Sequence, residues 1–143
     1  MRMPVAAYSI CTMALLLTAT PSTGAEHEHP PAPTSATMLL SKPLEGIPGK
    51  ETIMYIVELP PGASSPPHRH DAHVFLYVLE GAIVTQIAGQ DAVTVHPGQT
   101  SYESPSDVHL VFANTDDARP AKVLVVMVKD IGAPRTREVT GAE

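Results

Sequence analysis

The sequence predicts an all-β domain, a sandwich or closed barrel of short antiparallel strands. Apolar and polar residues alternate with the period of two that a strand with one buried face requires. Turn signals recur at intervals of about 8 to 12 residues, the spacing of sandwich and barrel strands. Fifteen prolines and nine glycines in 143 residues leave little uninterrupted length for helices. After removal of a leader, the length suits a single domain.

Residues 1–25 read as a secretory signal: Arg2, an apolar run from Ile10 to Leu17, then Thr23-Gly24-Ala25 before the cut. The run is short for a bilayer crossing of about 20 residues. The mature chain would begin at Glu26 and reside in the periplasm or outside the cell. Cys11 lies within this segment and is the chain's only cysteine. The mature protein would therefore have no disulfide, and any metal must sit on histidine, carboxylate or water. Residues 26–37, Glu-His-Glu-His-Pro-Pro and onward, read as a disordered, proline-rich leader in which His27 and His29 are solvated.

Residues 38–130 are predicted to form the barrel. Met38 to Leu44 could augment a sheet or pair with a second copy, giving a homodimer. Thr52 to Leu59 is a strand whose Ile53, Tyr55, Val57 and Leu59 share one apolar face, and Pro60-Pro61-Gly62 ends it. His73 to Leu79 is the next long strand; Glu80-Gly81 reads as a hairpin turn and Ala82 to Ala88 as the returning partner. Gly89-Gln90-Asp91 turns the chain into Ala92 to Val95, and Pro97-Gly98 turns it into Thr100 to Glu103. Val108 to Ala113 follows. Lys122 to Val128 is an unbroken apolar and β-branched run, which predicts burial on both faces. The tail, residues 131–143, is expected to be an extended strand or a loose end.

Fifteen acidic against nine basic side chains give a net charge of −6 without a basic cluster. That argues against nucleic acid and anionic membranes and leaves small molecules as the expected partners.

The candidate chemistry begins at His68-Arg69-His70, where two imidazoles one residue apart on extended chain point the same way. A third ligand must come from elsewhere, and His109 at the start of a late strand is the natural candidate. If the strand after His70 is regular, Val74 shares its inward parity and His73 faces outward; a bulge would instead make His73 a ligand.

These residues fall in two motifs that resemble those of the cupin family, over Glu51 to Lys129. In the first, Gly62, His68, His70 and Gly81 fall in place, Tyr77-Val78-Leu79-Glu80-Gly81 looks like its usual ending, and the family's glutamate falls on Val74. In the second, Gly98 stands eleven residues before His109, the family distance, while Pro105 and Asn114 come one place late and Asp107 replaces a glycine. The resemblance implies a jelly-roll barrel of two antiparallel sheets. Within it, His68, His70 and His109 would hold a divalent transition ion such as iron, manganese, zinc, nickel or copper. Three neutral ligands without the glutamate resemble the three-histidine thiol dioxygenases of the group. Glu103 is the candidate for the missing carboxylate and for a catalytic acid or base; Val74, Tyr77, Tyr102 and Phe75 are candidate pocket residues, and His96 a surface one. The expected function is an exported barrel that binds or transforms a small organic molecule at the metal, as an oxidoreductase or an isomerase. The alternative is a metal-free binding or sensory module, which the lost glutamate favours and the three retained histidines oppose.

Overall fold

The computed structural model describes residues 33–139; the predicted signal segment and residues 26–32 of the predicted leader lie outside them. Among the described residues the regular structure is all β. The strands are β1 (Ser35–Pro43), β2 (Lys50–Leu59), β3 (Ser64–Ser65), β4 (His68–Arg69), β5 (Ala72–Glu80), β6 (Ile83–Ile87), β7 (Val93–Val95), β8 (Thr100–Glu103), β9 (Val108–Asn114), β10 (Ala121–Asp130) and β11 (Arg137–Glu138). One antiparallel sheet runs β1-β2-β10-β5-β8, and the other β11-β4-β9-β6-β7 with β3 alongside β9. The two sheets form a jelly roll.

The core lies between the sheets and follows the alternation. In β2, Ile53, Tyr55, Val57 and Leu59 are buried; in β5, Ala72, Val74, Leu76 and Val78; in β10, Val123, Val125 and Met127. Each fully buried Leu, Ile or Val contributes about 1.5–3 kcal/mol over an exposed one. The intervening positions of β5, His73, Phe75, Tyr77 and Leu79, are exposed.

Three expectations are corrected. First, β10 is buried on one face only: Leu124, Val126 and Val128 are half-buried, because no strand among the described residues covers the outside of this central strand. Second, β6 is not the hairpin partner of β5. β5 pairs with β10 and β8, β6 with β7 and β9, so the Gly81 turn passes the chain from one sheet to the other. Third, β1 begins at Ser35 and so includes residues predicted as leader. β1 is an edge strand, its nine residues all exposed, and it pairs antiparallel with β2.

Candidate metal centre

The pairing of β4 with β9 sets His68 directly opposite His109, which places the two side chains on one face. His70, two residues on, shares the direction of His68. All three are buried, and each offers a ligand atom within 4.8 Å of the others. Ring centroids lie 4.9 Å apart for His68 and His70 and 5.0 Å apart for His68 and His109.

The far side of every ring is engaged. His68 Nδ1–H donates to the Pro66 carbonyl at 2.9 Å, and His70 Nδ1–H donates to the Arg135 carbonyl. A carbonyl can only accept, so these bonds place the proton on Nδ1 and leave Nε2 with its lone pair. His109 Nε2 pairs with the Thr85 hydroxyl at 2.6 Å. With that nitrogen donating, Nδ1 keeps the lone pair, and His109 Nδ1 is the one buried side-chain nitrogen or oxygen among the described residues without a hydrogen-bond partner. Such outer bonds fix tautomer and orientation in metal-ligating histidines. Burial also pushes the His68 pKa down, which favours the neutral form that a metal ligand needs.

Glu103 completes the cluster. It is 2% exposed, with one carboxylate oxygen 3.2 Å from His109 Nδ1 and the other 3.6 Å from His70 Nε2. Its position follows from register: Glu103 on β8 lies opposite Val74 on β5, the site of the family's glutamate in the sequence comparison. The carboxylate thus comes from the adjacent strand to the same face. A divalent cation among these imidazoles would supply a counter-charge to the buried carboxylate and a partner for the orphaned nitrogen. Three buried imidazoles whose ligand atoms lie within 4.8 Å of one another form a borderline-nitrogen set that fits a transition metal, with the Glu103 carboxylate beside it.

The cluster lines a cavity of about 270 Å³ whose apolar wall includes Val57, Val74, Leu76, Phe112 and Val125. Tyr55 also faces it; burial pushes this phenol up to about 12, so it is neutral at physiological pH. Val74 faces inward at 1% exposure, whereas Tyr77 and Tyr102, candidate pocket residues, are 42% and 48% exposed on the outside of the barrel with Phe75. They occupy positions of opposite parity. His73, considered as a ligand, is likewise outside, its Nδ1 2.7 Å from the Tyr102 hydroxyl; β5 has no bulge there to turn it inward. His96 is exposed. Thr85 and Arg135 escaped the sequence reading, in which Tyr55 stands only as part of the apolar face of β2. Strand parity would have found Thr85, two residues beyond the buried Ile83, but the tail holds no pattern that marks Arg135.

The family model of the cupin domain matches residues 55–127. No curated protein matches the chain. The chain is similar in fold to the DMSP lyase DddQ from Ruegeria pomeroyi DSS-3, with a TM-score of 0.60 at 22% identity over 73% of this chain and 51% of that one. It spans about half of that protein's length. A cupin superfamily protein from Desulfitobacterium hafniense DCB-2 superposes with a TM-score of 0.57 at 14% identity, covering 72% of this chain and 84% of that one. A protein from Thermus thermophilus gives 0.55 at 21% identity, with 67% and 83% covered. At these identities the likeness shows the fold alone.

Proposed function

The chain belongs to the cupin domain family, and on that premise we propose that it holds a divalent transition ion on His68, His70 and His109, beside Glu103, and transforms a small organic molecule there. The observation that carries this reading is the convergence of three histidines, each tethered on its far side, on a buried carboxylate and an unpartnered Nδ1. When bound, the ion supplies Lewis-acid or redox chemistry. The chain's own groups do the rest. Pro66, Arg135 and Thr85 hold the rings; the apolar wall excludes water from the buried cluster; Glu103 offsets one unit of the ion's charge and can take a proton at its carboxylate oxygen. That combination suits an isomerase or an oxidoreductase acting on a small molecule. DMSP lyases stand among the similar folds, so elimination, which also begins with proton removal, belongs in the first substrate screen.

The test is elemental analysis of protein purified without chelator, beside a His68→Ala/His70→Ala variant and Glu103→Gln. Near-stoichiometric metal is expected in the parent and none in the double variant, with affinity in Glu103→Gln lowered by about tenfold or more, as for lost site groups. Folded protein without metal in every form would replace this reading with a metal-free binding barrel.

Residues 1–25 support export to the periplasm or medium, checked by N-terminal sequencing of the mature protein from each fraction. The exposed edge strand β1 and the outward Phe75, Tyr77 and Tyr102 support a homodimer, checked by sedimentation equilibrium.

A further inference from the structure

We propose that Arg135 makes this cavity selective for small organic carboxylates, seating the carboxylate on its guanidinium while the apolar body lies against Val57, Leu76 and Phe112. The proposal names the substrate class of the site described above and rests on that reading for the ion's share of the charge.

Four arginines lie among the described residues. Arg69 and Arg137 both pair with Asp71, and Arg119 pairs with Asp116. Arg135 has no carboxylate partner among the described residues. It lines the cavity instead, with its guanidinium carbon 5.1 Å from the centre of the Tyr55 ring. Stacking on an aromatic face holds the planar fork without occupying its N–H donors, which remain able to grip a carboxylate by two parallel bonds. The backbone of the same residue is tied into the metal cluster, since its carbonyl accepts the His70 Nδ1–H bond. The cation therefore stands on a fixed stretch of chain at the cavity wall.

Charge and size define the ligand further. The three histidines are neutral as ligands, so a divalent ion and Arg135 together outweigh the two lining carboxylates, Glu103 and Glu138. An anionic ligand restores balance; a neutral one covers the solvent-exposed Arg135 guanidinium without replacing the hydration it displaces. The cavity of about 270 Å³ equals the volume of roughly nine waters at ~30 Å³ each. Organic acids with about that many non-hydrogen atoms fit it. The apolar wall favours an alkyl body over a bare inorganic anion.

The experiment compares 3-methylbutanoate with the uncharged 3-methylbutanamide by calorimetry. The proteins are the parent, Arg135→Gln and Arg135→Lys, each in metal-loaded and chelator-treated form. In metal-loaded parent, acid is expected to bind tighter than amide by about tenfold or more, the fold-change of a hydrogen bond to a charged group. Arg135→Gln should lose most of that preference, and Arg135→Lys should keep part of it. Equal binding of acid and amide by the parent, or an undiminished preference in Arg135→Gln, would overturn the proposal. Metal content and urea midpoint are read on the same samples. Metal retained in Arg135→Gln separates the two readings: the centre then stands whatever the acid preference shows. An Arg135-dependent acid preference in protein that binds no metal would support the carboxylate site and overturn the metal centre.

Discussion

Thr85 shows how much of the proposed metal site would rest on one hydroxyl. It sits on β6, its oxygen 2.6 Å from His109 Nε2, and this bond leaves Nδ1 as the nitrogen facing Glu103 and the other histidines. Thr85→Val keeps the shape and removes the partner. Metal affinity is expected to fall by about 10–100-fold, the usual effect of deleting an outer partner of a ligating histidine. Competition with a coloured chelator measures it; unchanged affinity would show that the ring is held by packing alone. At this scale the sequence was legible wherever parity along one strand decides direction: Val74 points in and His73 out for that reason. It was silent where direction depends on a partner strand. The nearness of Glu103 to His109 depends on the β5–β8 register, and that of Thr85 to His109 on β6–β9, and neither register is written in local pattern.

Among the elements, the turn between β5 and β6 has the narrowest tolerance. Gly81 adopts φ +69°, and a Cβ there would lie 2.9 Å from both the Ala121 Cα and the Pro120 carbonyl oxygen. Gly81→Ala therefore combines left-handed backbone strain with a clash against backbone, an expected loss of about 1–3 kcal/mol. Gly89, at φ +79°, has nothing within 4 Å of such a Cβ, so Gly89→Ala carries the strain alone and should cost less. Urea midpoints of the two variants check the order. Strand positions were legible because glycine and proline punctuate them. The pairing was not: Glu80-Gly81 looks like a hairpin locally, and only the partners of β5 and β6 in two different sheets show a crossover. The outer face of β10 misled for a related reason, since apolar residues on both faces do not reveal which face another element covers.

In the whole molecule, the C-terminal segment is built into the barrel and the histidine cluster. Buried Lys129 reaches Glu51 Oε1 at 2.6 Å and the Ala133 carbonyl at 2.8 Å, holding the turn that leads to Arg135 and then to β11, whose Glu138 pairs with His68. The Lys129 ammonium and the Ser41 hydroxyl hold the Glu51 carboxyl below its ordinary value of 4.5. A lowered folded pKa means that this contribution to stability is present above the unfolded pKa and is lost as pH falls through the lowered folded one. Stability should therefore decline as pH drops below about 4.5, and the decline should be shallower in Glu51→Gln. Urea midpoints between neutral and acid pH measure both slopes; identical slopes would remove Glu51 from the account. This fastening escaped the sequence because it joins residues 78 positions apart through a lysine that composition alone places on the surface.

The opposition of Val74 and Glu103 across β5 and β8 also bears on ancestry. Two facing positions present the same point in space, so a lineage can gain the acid on one strand before losing it from the other, passing through an intermediate that carries both. Judged down a single alignment column, such a protein looks like a relic that has shed its ligand, although the acid stands on the neighbouring strand.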